Sequence, residues 1–555
     1  MQGEYRGDFT RDTFCPAKHF SRVLMQQGRV QLDADWNEQV AILLRYQRLL
    51  AADLIGPHGG PDEFGFALGA VIPGEEDFEI APGHYYVDGV LCELESTPMV
   101  ISVPDAANRT VYLATLVRDG IQLSEGQYVT LENGNNRQVT SIAKMLPESG
   151  GLVLADNLSP AITKPGTTLR RQATYLTQPN YPAPAIPDNA AKYLVYLDVW
   201  ERHIVANQDQ SISEVALGGV DTASRSKVIW QARISNKPPG NKLDDDAWLA
   251  YVAANLQPAN RGLLKARVRP EPASMDPCVI APASRYRGPE NQLYRVEIQT
   301  GGEAWDGKMN QAGQPEGAAS AATFKWSREN GSVTFPVLTL TKGINTTTAT
   351  LAHLGRDPHL SLAEGDWVEI VDDDYALSEP GRVDPAPLLR VTAVDRVNLQ
   401  VVLEKSPPGG VGSDPKKHPM LRRWDHKQGE SGQGGLTLKD GSALVESRSD
   451  GNPWLNLEDG IQIQFQPRPA ATYRAGDYWL IPARVATGDI EWPSLRNAQG
   501  EPATDPATGQ PIVEALPPHG VEHHYAPLGL ITVDAGGKVT GTNAIFRRTF
   551  HTRAT

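Results

Sequence analysis

Residues 121–131 read IQLSEGQYVTL, and residues 360–370 repeat the pattern as LSLAEGDWVEI. Each version has a Glu-Gly turn followed by alternating apolar and polar residues, the pattern of a half-buried strand. Three further matches follow in the same order: Val139-Thr140-Ser141-Ile142 with Val391-Thr392-Ala393-Val394, Leu152-Val153-Leu154 with Val401-Val402-Leu403, and Ser159-Pro160 with Ser406-Pro407. We therefore predict an internal duplication that forms two related small β-barrel-like inserts.

The rest of the chain also favours strands. Its 43 Pro and 51 Gly residues have no period, and this excess is typical of short strands joined by turns. At 555 residues the chain exceeds the roughly 300 residues that one hydrophobic core can serve. We predict a mainly β, multi-module chain of β-sandwiches and barrels with an N-terminal helix. The predicted parts are an N-terminal docking module at 1–60, a central β domain at 61–117 and 166–300, the inserts at 118–165 and 355–412, a β continuation at 301–354, and a C-terminal β module at 413–555.

Two segments have helical periodicity. Acidic residues precede an apolar stripe over residues 36–54 and Gly56-Pro57 follows it, which predicts a helix with a sharp stop. The aspartates at 244–246 predict a second, shorter helix that extends to residue 256. Runs of β-branched and aromatic residues predict strands at 78–80, 85–87, 193–199, 228–234 and 294–298.

Charge and composition exclude several classes of protein. The net charge of −14 disfavours a nucleic-acid partner, because a binder of the phosphate backbone needs a basic surface. No apolar run reaches the roughly 18 residues of a transmembrane helix, and the first residues lack the apolar core of a secretion signal. Cys15, Cys92 and Cys278 are scattered and odd in number, which favours reduced thiols in the cytoplasm.

The strongest metal-like cluster is His519, His523 and His524. Two histidines four residues apart share one face of a helix, which is how they reach one zinc ion. Prolines on both sides make a helix improbable, and on a strand His519 and His523 would be roughly 13 Å apart. We therefore predict no metal site, although convergence with Asp425 or His426 would create one. Nucleotide-binding and hydrolase motifs are absent from the sequence, and we predict no cofactor and no enzymatic activity.

Carboxylates and tryptophans leave two weaker alternatives. Asp372-Asp373-Asp374 could bind calcium but lacks the spacing of an EF-hand. Asp198 and Glu201 could form the carboxylate pair of a glycoside hydrolase. A glycan platform could be built from surface tryptophans, and the candidates are Trp305, Trp326, Trp424, Trp454 and Trp492.

The N-terminal sequence resembles that of a known family. Residues 7–14 read GDFTRDTF and residues 25–39 read MQQGRVQLDADWNEQ. Both stretches look like the opening of an uncharacterised bacterial protein family encoded with extracellular contractile injection systems and phage-tail-like particles. Further similar runs lie at residues 196–202, 214–225, 286–296, 324–333, 477–493 and 517–528. The sequence at residues 80–89 also resembles a motif that recurs in phage tail and baseplate proteins.

The resemblance implies a structural, non-enzymatic accessory of such a particle, in its baseplate, fibres or surface attachments. Its partners would be other baseplate, tube, sheath or spike proteins and further copies of itself. It would assemble in the bacterial cytoplasm and be released with, or attached to, the extracellular particle. We predict that docking uses the apolar residues of the N-terminal module: Phe9, Phe14, Phe20, Leu24, Met25, Trp36, Leu43 and Leu44. The alternatives are a module that binds or cleaves cell-surface glycans, and a cargo effector carried by the particle.

Overall fold

The structure is a computed structural model, and it describes most of the chain. The described residues are 5–61, 65–72, 77–105, 109–118, 121–235, 243–257, 262–270, 285–378, 385–430, 433–448, 451–466, 472–506, 509–543 and 545–550. Cys278 lies outside them, while Cys15 and Cys92 are free thiols.

The described part contains three α-helices, and two were predicted. They are α1 at Asp33–Ile55, α2 at Asp245–Asn255 and α3 at Asp373–Leu377. Helix α1 begins three residues before the predicted start at 36, because Asp33 and Asp35 belong to its first turn and favour the positive end of the helix dipole. Asp244 caps α2 by accepting a bond from the Ala247 amide. Short 3₁₀ helices lie at Pro16–Lys18, Pro147–Ser149, Gln210–Ile212, Val215–Leu217, Ala318–Ser320 and Pro415–Lys417.

Strands form most of the remaining regular structure, which confirms the mainly β prediction. In the first half of the described chain they are β1 His58–Pro61, β2 Leu68–Val71, β3 Phe78–Ile80, β4 Gly83–Val87, β5 Val90–Leu94, β6 Met99–Asp105, β7 Thr110–Leu113, β8 Val117–Arg118, β9 Ile121–Gln122, β10 Tyr128–Asn133, β11 Asn136–Leu146, β12 Gly151–Leu154, β13 Thr168–Arg171, β14 Ala173–Thr174, β15 Ala191–Ile204, β16 Ser213–Glu214, β17 Val220–Asp221, β18 Arg225–Ser235 and β19 Leu263–Val268. In the second half they are β20 Gln292–Thr300, β21 Thr323–Ser327, β22 Thr334–Lys342, β23 Thr347–Leu351, β24 Trp367–Val371, β25 Leu389–Asp395, β26 Gln400–Leu403, β27 Met420–Trp424, β28 Leu438–Lys439, β29 Ser442–Leu444, β30 Leu455–Asn456, β31 Ile461–Gln466, β32 Tyr478–Arg484, β33 Asp489–Ile490, β34 His524–Val533, β35 Val539–Asn543 and β36 Thr549–Phe550. All five predicted strand segments lie within β3, β4, β15, β18 and β20.

The chain divides into two compact units, each built from separate stretches of sequence. Unit 1 comprises residues 1–43, 201–227 and 258–522, and unit 2 comprises 44–200, 228–257 and 523–555. The contiguous C-terminal module expected at 413–555 is therefore shared between the units. Strand β34 explains the division, since it pairs with β15 in unit 2.

Unit 1 is built around a β-sandwich. A six-stranded sheet of order β28-β29-β21-β20-β32-β33 faces a three-stranded sheet of order β19-β31-β30. Apolar side chains from both sheets, including Trp326, Trp479, Ile463 and Phe465, form one buried cluster between them. Alternate residues of a strand point to opposite faces, so the other face of each sheet carries the polar residues that the next sections concern.

Unit 2 has its core under the four-stranded sheet β18-β15-β34-β35. Val195, Leu197, Trp230 and Leu528 from this sheet join Phe78, Tyr85 and other residues of the smaller sheets in one cluster. Helix α2 packs on the same strands through Trp248 and Val252. The apolar runs that predicted β15 and β18 are thus buried strand positions.

Each unit also carries a closed six-stranded barrel, and the two barrels have the same topology. Unit 2 has the order β10-β11-β12-β7-β6-β13, and unit 1 has β24-β25-β26-β23-β22-β27. Each strand of one barrel therefore has a counterpart in the other. The barrels include strands beyond 118–165 and 355–412, because β6, β7, β13, β22, β23 and β27 complete them. Strands β13 and β27 share Leu-Arg-Arg, at residues 169–171 and 421–423, in equivalent positions of the two ladders.

The Glu-Gly turn has one hydrogen-bond pattern in both barrels. The Gly126 amide donates to the Ile142 carbonyl at 2.8 Å, and the Gly365 amide donates to the Val391 carbonyl at 2.8 Å. Both glycines have positive φ, 82° and 92°, which side chains disfavour. The counterpart of Val391 is therefore Ile142. The match of Val139 to Val391 was wrong by three residues, because a Val-Thr pair occurs in both strands but at different ladder positions.

The motif at residues 80–89 contains the turn of one β-hairpin. Strands β4 and β5 pair across Asp88-Gly89, whose φ values of 49° and 77° suit the two-residue hairpin turn. The preceding Pro-Gly step does not close a hairpin, because β3 pairs with β2 and β14. A Cβ on Gly89 would lie 2.1 Å from the Arg48 carbonyl oxygen of α1, so the helix packs directly on this turn.

Candidate docking surface

The N-terminal arm, residues 5–14, is fastened to unit 1 by polar contacts. The Nη2 atom of Arg6 lies 3.1 Å from each carboxylate oxygen of Glu297. Asn330 donates from Nδ2 to the backbone oxygens of Tyr5 and Gly7, at 3.2 and 3.0 Å. The start of the predicted docking module is therefore part of the folded unit.

A layer of buried charges lies on the outer face of the six-stranded sheet, where Arg6 joins it. Arg295 Nε contacts Glu297 at 2.6 Å, and Lys325 Nζ lies 3.4 Å from Glu297 and 2.5 Å from Glu369. Burial raises the pKa of Glu297, but Arg6 and the other two cations outweigh burial and hold it below its ordinary value. Both carboxylates therefore stay charged within the protein, where each has cationic partners.

Phe9 and Phe14 are half-buried and have contacts within this chain. The Phe9 ring centroid lies 6.1 Å from that of His203. The Phe14 amide bonds Asp12 at 3.1 Å. Of the eight predicted docking residues, the other six are exposed: Phe20, Leu24, Met25, Trp36, Leu43 and Leu44.

Helix α1 exposes most of its apolar side chains. Within the helix only Ala34 and Ile42 are buried. Trp36 is 62% exposed and Leu54 is 77% exposed, values that oppose the usual burial of such residues. A helix whose large apolar residues face outward has a surface that water solvates poorly.

These exposed residues form a regular line, which we call the apolar stripe: Trp36, Val40, Leu43, Gln47, Leu50 and Leu54. Successive members are four, three, four, three and four residues apart. This is the heptad spacing of a coiled-coil seam, in which apolar residues repeat every 3.5 residues on average. All six are exposed, and Gln47 is the one polar member. The helix therefore presents a complete seam that no other described residue of the chain covers.

The segment before the helix extends this apolar surface. Phe20, Leu24, Met25 and Val30 are all more than half exposed. The segment is held to α1 by a bond of 2.8 Å from the Val23 amide to Gln39. The exposed residues on the segment and on the helix thus belong to one continuous stretch, residues 20–54.

The tryptophans proposed as a glycan platform do not form one. Trp305, Trp326 and Trp424 are at most 2% exposed, so their rings cannot stack on a sugar. Trp492 is partly buried and donates from its indole nitrogen to the Glu514 carbonyl. Trp454 remains partly exposed, with the Arg267 guanidinium 3.8 Å above its ring.

The three histidines of the metal-like cluster have three different partners. His519 pairs through its backbone with Tyr478, His523 contacts Asp198, and His524 contacts Asp88. Among the described residues, no group of three or more His, Cys, Asp or Glu side chains is arranged to hold a metal ion. His426 is buried and bonds the Gly441 carbonyl at 2.6 Å.

One buried ionic contact in unit 2 was not predicted. Asp198 is fully buried, with Oδ1 2.5 Å from His523 Nδ1 and Oδ2 3.0 Å from Arg233 Nε. The sequence held a signal for this contact, because Asp198 is the one carboxylate in the apolar run YLVYLDVW at residues 193–200. A buried carboxylate needs a counterion. Glu201 bonds Tyr5 and Ser226 instead. It lies three residues from Asp198 on one strand, so the two side chains point to opposite faces and cannot act as a pair.

The aspartates at 372–374 are engaged in structural contacts. Asp372 caps α3 and accepts from the Gly412 amide at 3.0 Å. Asp373 contacts Arg202 at 2.5 Å and His418 at 2.7 Å, and Asp374 pairs with Lys417. Their carboxylates balance local cations and do not converge on one point.

Comparison with known proteins gives a family assignment. The chain matches a family of unknown function, DUF6519, over residues 5–142, 178–247 and 247–543. It belongs to this family. Neither the curated proteins nor the solved structures include a significant match. The DUF6519 match covers the arm, α1 and strands of both units, so the apolar stripe is part of the matched region.

No helix in the described part of the chain combines the length and the hydropathy needed to cross a bilayer.

Proposed function

We propose that this protein is a non-enzymatic structural component of a contractile, phage-tail-like injection particle. Within it, the protein assembles through the apolar stripe of α1. The observation that carries the proposal is the exposure of Trp36, Leu43, Leu50 and Leu54 along one seam. Contiguous apolar patches on soluble proteins mark interaction sites.

The occupant we assign to the stripe is α1 of a second copy of this chain. Gln47 favours this occupant over an unrelated apolar helix. Buried against an apolar partner, its amide would lose hydrogen bonds to water without replacement. In a parallel, symmetric pairing Gln47 meets Gln47, and the two amides bond each other. A polar residue at one seam position also specifies register and the number of helices.

The particle context rests on the resemblance of residues 7–14 and 25–39 to proteins encoded with contractile injection systems. The second of these two sequences, residues 25–39, lies in the segment that exposes Met25, Val30 and Trp36. The resemblance and the exposed surface thus coincide. The protein would occupy the baseplate, a fibre or a surface attachment, and would leave the cell with the particle.

Sedimentation velocity of the whole protein tests the self-association. We expect the wild type to form one defined oligomer and Leu43→Glu/Leu50→Glu to be monomeric, because it places carboxylates in the seam. Leu49→Glu is the matched control, since Leu49 is 45% exposed on the same helix but lies off the stripe. Gln47→Leu should retain association but populate several oligomeric states. A monomeric wild type would exclude the second copy as the occupant.

Cryo-electron microscopy of particles from the producing bacterium tests the context. The gene would be deleted or replaced by the Leu43→Glu/Leu50→Glu and Leu49→Glu versions. We expect the density that this protein contributes to the particle to disappear when the gene is deleted. The same density should be lost or reduced with the double variant and should persist with Leu49→Glu. Particles unchanged by deletion would contradict the particle role but leave the sedimentation result intact.

A further inference from the structure

The outer face of the three-stranded sheet in unit 1 carries a row of polar side chains. In β19, Leu264 and Ala266 point into the core, so Lys265 and Arg267 point outward. Arg267 lies opposite Gln462 of β31, and Gln462 lies opposite Asn456 of β30. A guanidinium and two amides therefore stand side by side across the sheet.

Hydrogen bonds fix this row in place. Arg267 Nε donates to Gln462 Oε1 at 3.1 Å, and Gln462 Nε2 donates to Asn456 Oδ1 at 2.9 Å. Arg269 Nη2 donates to the same Asn456 oxygen at 2.8 Å. Trp454 supports Arg267 from below, with its ring centroid 3.8 Å from the guanidinium carbon. The two arginines are thus held by neutral groups.

In the part of the chain that the structure describes, no carboxylate lies within ion-pair distance of Arg267 or Arg269. Burial, together with the neighbouring charge of Arg269, lowers the pKa of Arg267 to about 10. The chain is acidic overall, with a net charge of −14, so two adjacent uncompensated arginines require an explanation. Glu430 also lines the site, where its carboxylate accepts a bond from the Gln433 side chain at 3.1 Å.

These residues line a pocket of about 600 Å³. Its walls are formed by Arg267, Arg269, Pro270, Glu430, Gln433, Gly435, Asn456 and Gln462. The volume lies within the usual range for small-ligand sites, roughly 300–1,000 Å³. The lining is mainly polar, whereas sites for apolar ligands are mostly hydrophobic.

We propose that this pocket binds an acidic sugar residue, a carboxylate-bearing unit of a surface glycan. The arginine pair supplies planar donors that match a carboxylate. The amides of Gln462, Gln433 and Asn456 supply donors and acceptors suited to sugar hydroxyls. The role of Trp454 is to position Arg267. The inference goes beyond the proposed function and does not depend on it.

Nucleic acid is a weaker assignment for the same site. A phosphate-backbone binder neutralises several phosphates along an extended basic track. Here the basic cluster consists of Arg267 and Arg269, with Lys265 next to them on β19, on a chain of opposite net charge. A single carboxylate surrounded by hydroxyls fits this arrangement better.

Isothermal titration calorimetry of the whole protein tests the proposal. The probes are a trimer of galacturonic acid, the neutral galactose trimer, inorganic sulfate and a single-stranded oligonucleotide. We expect the acidic trimer to bind and the neutral trimer to bind at least tenfold more weakly. Arg269→Gln should weaken the acidic trimer at least tenfold, and Arg267→Lys should also weaken it because the bidentate geometry is lost.

Arg356→Gln is the matched control, since it removes one exposed positive charge elsewhere in unit 1 and should leave binding unchanged. Circular dichroism of each variant confirms that the fold is retained. Failure of the acidic trimer to bind would overturn the proposal. Equal affinity for sulfate or for the oligonucleotide would also overturn it, because the site would then recognise charge alone.

Discussion

Arg6 and Glu297 form an ion pair through both carboxylate oxygens although 291 residues separate them in the chain. Their side chains are 14% and 3% exposed. The pair joins the N-terminal arm to the central strand β20 of the unit 1 sandwich. The arm that precedes the apolar stripe is thereby anchored at the centre of the unit.

Arg6→Ala should loosen the arm and destabilise unit 1. Removing one partner from a buried ion pair costs about 3–5 kcal/mol, although Arg295 and Lys325 remain beside Glu297 and place the expected loss at the lower end. Hydrogen exchange of the amides in residues 5–14 measures the effect locally. We expect their protection to fall sharply.

Arg11→Ala is the control for this experiment. Arg11 also belongs to the arm, but its pair with Glu491 is more than one-third exposed on both sides. Exposed pairs contribute about 0–1 kcal/mol, so exchange should change little. Equal effects of the two substitutions would show that the buried pair does not anchor the arm.

His426 should make unit 1 sensitive to acid. Burial lowers its pKa from 6.5 to about 4. Between these two values the unfolded chain binds a proton that the folded chain does not, so stability falls as the pH falls from 6.5 to 4. The maximum contribution is about 3 kcal/mol. His426→Gln retains a donor for the Gly441 carbonyl and should reduce the pH dependence of the thermal midpoint over this interval; an unchanged slope would refute the assignment.

The two barrels should respond equally to substitution at their equivalent turns. Gly126→Ala and Gly365→Ala each force a Cβ into the left-handed region, at a cost of about 1–2 kcal/mol. Asn at either position should cost less, because it tolerates this conformation. Gly541→Ala is the control, since that glycine lies in a strand with open space around it. Hydrogen exchange of each barrel gives the two costs separately, and a large difference between them would argue against equivalent turns.

Asp198→Asn should strongly destabilise unit 2. It removes the carboxylate charge that lies 3.0 Å from the Arg233 guanidinium, which is 7% exposed, and breaking a buried ion pair costs about 3–5 kcal/mol. Asp88→Asn is the control, because Asp88 pairs with His524 at an exposed site and should cost less than about 1 kcal/mol. Protection of the β15 and β34 amides should fall only in the first variant. Similar protection in both variants would mean that Asp198 has no structural role.

Patterns within a short stretch of sequence predicted the fold class well. Helix α1, helix α2 and the strands at 78–80, 193–199 and 294–298 follow from periodicity and capping, which depend on neighbouring residues. The Glu-Gly turn identified both barrels because positive φ at Gly126 and Gly365 restricts the residue type. The register error at Val139 arose because the match relied on a Val-Thr pair that occurs in both strands. A shift of three residues moves every side chain to the opposite face of the sheet, so only the strand pairing could reveal it.

Contacts between distant residues were not predictable in the same way. Burial of Trp305, Trp326 and Trp424 depends on which strands become neighbours, and their surrounding sequence gave no sign of it. The same holds for the Arg6–Glu297 pair. Exposure of the stripe was predicted only as a docking role, since an amphipathic pattern does not specify whether the apolar face meets its own chain or another.

Strand β34 lies between β15 and β35 in the sheet of unit 2, and 325 residues separate Asp198 from His523 at their junction. A ribosome adds about 5–20 residues per second, so roughly 16 to 65 seconds pass between synthesis of these two strands. During that interval the nascent chain carries an unpaired, apolar edge on β15, which is prone to aggregate. Unit 2 can therefore complete this sheet only late in translation, after β34 has been synthesised.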